Sequence, residues 1–237
     1  MLAHTNLTSS GASTVRPAHK RFHGRVSVVP RAAAGAPAAI SAATDALATL
    51  RSAAAKPGSV KPSDVLAAMV TVEKAKLKPE NWEANLTAPG TRWRLVYTVS
   101  GKDLTAAAKK QKAGSGAYFP ISACQKFDDT GFENGVFFGP VANLTFKGPW
   151  QLDAKVCHFD VNTMYLGLGP WRLPIKLKDQ TPLKQMATKE FKALPFFVYA
   201  YVGEDIVVAR GRSGGVALWG RADAAWLATS GAMQVYK

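Results

Sequence analysis

The chain of 237 residues suits one domain with extensions, or two small domains. Its 47% hydrophobic content allows a sizeable core, yet no run approaches the roughly 18 apolar residues that cross a bilayer, so any membrane contact is expected to be peripheral. The formal net charge of +14 suits anionic partners, and two cysteines, Cys124 and Cys157, exclude a disulfide scaffold. Each cysteine sits in an apolar, strand-like run, which predicts two buried free thiols.

The charge is unevenly placed. Arg16, Lys20, Arg21, Arg25 and Arg31 all precede the first acid, Asp45, and are scattered among Ser, Thr, Ala and Pro. A basic, hydroxyl-rich, acid-free start without a long apolar segment predicts an organelle transit peptide over residues 1–38, the alternative being a basic arm for nucleic acid. Residues 39–84 read as a helical lead-in. Leu47 and Leu50 mark a weak helical pattern ended by Lys56-Pro57-Gly58. A clearer helix has Ser63 as its expected N-cap, with Val65, Met69 and Val72 at helical spacing. Lys74, Lys76 and Lys78 load its C-terminal turn before Pro79.

From Thr91 the pattern changes to period two: Trp93, Leu95, Tyr97 and Val99 alternate with their neighbours, as in a half-buried strand. A polar helical excursion is expected over 102–112. Strand-like runs follow over 117–127, 132–138, 141–147, 150–161, 171–177, 196–202, 205–210 and 216–221, separated by turn chemistry such as Asp129-Thr130-Gly131 and Gly139-Pro140. A short helix is expected over 181–193, and 222–237 is a tail without an assignment. About eight short strands without intervening crossover helices predict a mainly β fold, an antiparallel barrel or sandwich. A barrel of that size can enclose one small ligand.

Several segments in order resemble the plastid lipid-associated proteins, or fibrillins. Thr91-Arg92-Trp93-Arg94-Leu95-Val96-Tyr97-Thr98 resembles the family's opening W-x-L-x-Y-T strand. Tyr118-Phe119-Pro120-Ile121, Gln125-Lys126-Phe127-Asp128 and Glu133-Asn134-Gly135-Val136-Phe137-Phe138-Gly139-Pro140 are similar to its middle strands. Tyr201-Val202-Gly203-Glu204-Asp205, running on to Arg210-Gly211-Arg212-Ser213-Gly214-Gly215, resembles its closing hairpin. Two departures stand out. The lipocalin-type G-x-W is shifted to Gly90-Thr91-Arg92-Trp93, and Gly203 occupies a usually acidic position.

The resemblance covers roughly residues 42–221. It implies a lipocalin-like antiparallel β-barrel of about eight strands over 85–221, in a chloroplast protein at thylakoids or plastoglobules, or in the stroma. It further implies lipids or lipophilic metabolites as partners, contact with a membrane surface, no cofactor and no catalytic chemistry. Fold alone does not confer these properties.

Trp93, Tyr97, Tyr199, Tyr201, Asp205, Arg210 and Arg212 are the candidate ligand-binding or barrel-closing residues. An arginine capping the Trp93 indole would close a barrel end, with Arg210, Arg212 or Arg221 able to serve. Asp205 is expected to order its turn or meet a basic neighbour. Trp150, Trp171 and Trp219, each near a turn or strand end, are either core residues or membrane-interface residues.

Catalytic patterns are thin. Gly211-Arg212-Ser213-Gly214-Gly215 matches G-x-S-x-G, but strands are expected on both sides where a nucleophile elbow needs a following helix. Past the leader His158 is the only histidine, and strand alternation sets it opposite Cys157. The resemblance implies a non-enzymatic lipid-binding protein, and neither a metal nor nucleic acid is expected. The alternatives are an enzyme or enzyme accessory acting on an isoprenoid or quinone-like substrate, and a nucleic-acid binder with clustered charge.

Overall fold

A computed structural model describes residues 36–169, 171–180 and 194–236. The predicted leader lies almost wholly, and the predicted 181–193 helix entirely, outside the described residues.

Two helices lead in. α1 spans Ala36–Ala55 and α2 spans Pro62–Ala75. Ser63 is not the N-cap of α2: Lys61 takes that place with Pro62 at the first helical position, where the missing N–H is no loss. Lys76 ends the helix in the left-handed conformation, φ 48°. A short α3, Trp82–Thr87, then precedes the sheet.

The sheet strands in chain order are β1 (Trp93–Val99), β2 (Ala117–Tyr118), β3 (Ser122–Asp128), β4 (Gly131–Phe138), β5 (Ala142–Gly148) and β6 (Trp150–Asp153). They continue with β7 (Val156–Phe159), β8 (Thr163–Leu168), β9 (Trp171–Lys176), β10 (Phe196–Val202), β11 (Ile206–Gly211) and β12 (Val216–Arg221). α4, Gly101–Ala108, is the polar excursion between β1 and β2, capped by the Ser100 hydroxyl, which accepts from the Asp103 N–H at 3.0 Å. The C-terminal segment forms two helices, α5 (Ala224–Ser230) and α6 (Ala232–Val235).

All ladders between the named strands are antiparallel, and they join into a single curled sheet of 12 strands rather than about eight. The path runs β6-β7-β10-β11-β12-β1-β3-β4-β5-β8-β9, with β2 paired to β1 beside it. The excess over the sequence reading has local causes. Pro120 lies in the gap that splits the expected 117–127 strand into β2 and β3. The expected 150–161 strand is a hairpin, turning at Ala154-Lys155 with Ala154 at φ 49°. Neither residue is the Asn or Gly such a turn favours, so no signal marked it. β8 was not expected at all.

Pro149 alone separates β5 from β6, and only residues 160–162 separate β7 from β8. The two therefore form one long, bent hairpin whose halves take different neighbours. β5 pairs with β4 and β8 with β9, whereas β7 pairs with β10. The bend depends on Gly148, where an added Cβ would sit 1.7 Å from the Asp160 carbonyl oxygen.

The two faces of the sheet are covered differently. Val96, Ile206, Val208, Val216 and Leu218 pack with α1 and α2. On the other face Trp93, Phe127, Phe132, Phe159, Tyr199 and Trp219 pack with Trp82 and Leu86 of α3. The side of β3 and β4 that bears Cys124 and Phe137 is covered by Ala232 and Tyr236. Both cysteines are buried and free. Among the described residues no helix is long and apolar enough to cross a membrane.

Candidate functional site

The face that holds the aromatic core continues along β4, β5, β8 and β9, and there no described element packs over it. Because side chains alternate along a strand, Val136 and Phe138 share the face of Phe132. The register carries this face across the sheet: Val136 opposes Leu144, Leu144 opposes Leu166, and Leu166 opposes Leu173. Phe138, Leu168 and Trp171 extend it to the strand ends. Exposure is high for such residues: Leu166 52%, Leu173 61%, Leu168 61% and Trp171 75%. Toward the bend, α3 and the aromatic cluster close the face off. Trp93 donates its indole N–H to the Leu86 carbonyl at 3.2 Å, and the Lys155 ammonium lies 5.6 Å from the Trp82 ring centroid.

One buried polar group belongs to this face. Gln125 lies on the Phe127 side of β3, is 1% exposed, and has a side-chain nitrogen without an acceptor. It pairs across the ladder with Asn134, which is exposed.

The opposite face of the same strands is polar and tied together. Arg172 on β9 donates to Glu133 at 2.5 Å and to the Thr145 hydroxyl at 2.6 Å, while Thr145 donates to Glu133 at 2.8 Å. The Arg172 guanidinium also lies 4.3 Å from the Tyr165 ring centroid. Glu133 is nearly buried, so these bonds satisfy a carboxylate that would be costly alone.

The residues singled out from the sequence do not form one constellation. Trp93 and Tyr199 are in the aromatic core. The Tyr199 hydroxyl makes no hydrogen bond of normal geometry, and burial, with the Cys157 thiol beside it, pushes its pKa well above 10. Tyr97 lies on the helix side and donates to the Pro62 and Ser115 carbonyls; burial and the adjacent Tyr118 push its hydroxyl up to about 12. Arg210 does not cap Trp93. It alternates with the core residue Ala209, faces α2, and holds Glu73 in a two-pronged ion pair at 3.2 and 2.7 Å. Arg212 donates to the Leu194 carbonyl at 3.3 Å. Tyr201 and Asp205 are brought together by a shared partner. Arg51 of α1 donates to both, and the two line a groove of about 620 Å³ with Leu77 and Asn85.

Other sequence patterns resolve structurally. The G-x-S-x-G run is the β11–β12 hairpin turn, closed by the Gly211 N–H donating to the Gly215 carbonyl at 2.8 Å. Cys157 is in the core, whereas His158 lies on the opposite face beside the Phe196 ring. Of the three tryptophans, Trp219 is core, Trp150 donates to the Asp128 carbonyl and stacks edge-on with Phe127, and Trp171 is exposed. Among the described residues no group of three His, Cys, Asp or Glu could hold a metal ion.

The apolar face itself was missed from sequence. Its signal is there, in Met164, Leu166 and Leu168 at period two, but Gly167, Gly169 and Pro170 have turn chemistry and hide the strand. No family model matches the chain, and no curated protein matches it.

Proposed function

We propose that the chain is a non-enzymatic lipid-handling protein of plastids, holding or organising lipids and lipophilic small molecules at thylakoid or plastoglobule surfaces. The observation that carries the reading is the uncovered apolar face on β4, β5, β8 and β9. Exposed apolar surface on this scale marks an interaction or ligand-binding surface. Its alkyl and aromatic lining suits hydrocarbon chains and offers little to a charged solute.

A lipocalin-like count supports the same reading. With β2 taken with β3, β5 with β6, and β7 with β8 as single bent staves, the strands other than β9 would supply the eight members of a lipocalin-like barrel. β9 is then an added edge strand. The plastid address rests on the basic, acid-free leader and on the family resemblance.

The test is binding of a fluorescent fatty acid, cis-parinaric acid, to the full-length chain. Leu166→Gln with Leu173→Gln should abolish the emission gain seen with the unmodified protein. An unmodified protein that leaves the probe in water sinks the reading.

The unpaired Gln125 amide favours a second reading, a carrier or enzyme accessory for an isoprenoid or quinone-like molecule, whose carbonyl oxygen would accept that N–H. Gln125→Leu should then weaken binding of a prenylated quinone relative to parinaric acid.

A further inference from the structure

The strand ends fall into two sets with opposite chemistry. At one end lie the β4–β5 turn (139–141), the β8–β9 connection at Gly169, the β11–β12 turn, and the long β1–β3 connection containing α4. At the other end lie the β3–β4, β6–β7 and β10–β11 turns.

At the first end two hairpin tips sit side by side, with the Gly169 N–H donating to the Val141 carbonyl at 2.7 Å. Their side chains are apolar and stand in solvent: Phe138 59%, Val141 65%, Leu168 61%, Trp171 75%, with Ile121 at 43% just ahead of β3. The segments 119–122, 137–143 and 166–171 contain no charged residue. Among the described residues, the neighbouring connections at this end carry cations: Lys102, Lys109, Lys110 and Lys112 around α4, and Arg212 in the β11–β12 turn. The lone carboxylate among them, Asp103, is engaged by the Ser100 hydroxyl at 2.7 Å and the Gly114 N–H at 2.8 Å. The turns at the other end carry Asp129, Glu204 and Asp205, the last paired with Arg51, against Lys155.

Resting on the lipid-handling reading, we infer that the end bearing Phe138, Val141, Leu168 and Trp171 inserts into the headgroup region of an anionic bilayer. The lysines around α4 meet the lipid phosphates, and the end bearing Asp129 and Glu204 faces away. A tryptophan and aliphatic tips flanked by cations match the chemistry of that interface, where amphipathic rings settle and basic side chains gain from the surface potential. A protein partner would need polar groups on these tips to set register, and they present almost none. The insertion also sets the uncovered face of β4, β5, β8 and β9 against the membrane, so that a chain leaving the bilayer meets apolar surface at once.

Selective labelling tests this in the full-length chain, because Cys124 and Cys157 are buried. Val141→Cys and Asp129→Cys each carry an environment-sensitive NBD label and are mixed with vesicles of pure phosphatidylcholine or of phosphatidylcholine with phosphatidylglycerol. With the anionic vesicles the label at 141 should shift to the blue and brighten, with partial loss in high salt, while the label at 129 stays unchanged. Equal responses at both sites, or a response at 129 alone, overturn the orientation, and so does silence at both. A blue shift at 141 that needs no vesicles and grows with protein concentration marks self-association, and overturns it too. Parinaric acid uptake is measured in parallel: uptake with a silent label at 141 removes the insertion and leaves the lipid-handling reading standing.

Discussion

Arg51 and Asp205 are joined at 2.7 Å across 154 residues of sequence, tying the α1 helix to the β10–β11 turn. Asp205, expected from sequence to order its turn or meet a cation, meets one that no strand pattern could have indicated. The pair is half exposed, with side-chain exposures of 42% and 49%, so screening by water limits its worth. Asp205→Ala should cost less than about 1 kcal/mol in urea unfolding. A double-mutant cycle with Arg51→Ala that returned several times that coupling would show that the Tyr201 hydroxyl makes the three groups a stronger unit.

The plug beneath the aromatic core should be far less tolerant. Leu86 is fully buried, and its carbonyl accepts the Trp93 indole N–H. Leu86→Ala removes packing on both α3 and β1, and the expected loss is about 2–5 kcal/mol by chemical denaturation. A loss below about 1 kcal/mol would mean that α3 collapses into the space or is dispensable.

Glu133 has an equally specific job. Removing it leaves Arg172 with the Thr145 hydroxyl and the Tyr165 ring, and the carboxylate that received both donors is gone. Glu133→Ala should destabilise by about 3 kcal/mol, the lower end for a buried pair because Arg172 keeps some contact with water. Hydrogen exchange should quicken first in β9, which pairs with β8 alone among the described residues.

His158 supplies the pH dependence. Burial lowers its pKa below 6.5, with Asp153 opposing that shift. Since the folded chain binds this proton less readily than the unfolded one, the contribution is intact above about 6.5 and lost as pH falls toward the depressed folded value. His158→Gln should flatten stability against pH over that window, as followed by thermal melts. An unchanged slope would place the effect elsewhere.

The thiols should be silent in the native state. Burial pushes Cys157 up to about 12 and Cys124 higher still, so neither holds thiolate near neutral pH. Ellman's reagent should react with both only after denaturation.

Strand-like patterning made β1, β10, β11 and β12 legible in the sequence: period-two alternation in β1, short apolar runs between turn residues in the others. It failed where the punctuation was atypical. Ala154-Lys155 turns a hairpin without glycine or asparagine, and Gly167, inside β8, looked like part of a turn. Site residues were harder still. Trp93 and Arg210 lie on strands that resemble the same family, yet which face each side chain takes depends on bulges and on Glu73, a helix residue distant in sequence. The apolar face arises only once four strands are placed in register, and no single segment announces it.

The edge of that face has its own safeguard. Strand β9 is the end of the sheet path among the described residues, and a flat strand displaying Trp171 and Leu173 would otherwise be a template on which further chains stack. Pro174 offers no N–H to such a ladder, and Arg172 and Lys176 on either side of it place cations along the strand. Chain-to-chain growth along β9 is thereby disfavoured without sacrificing the greasy side chains that face the other way. A threonine at position 174 would restore the missing donor, and with it the hazard of fibrillar association that the native strand holds in check.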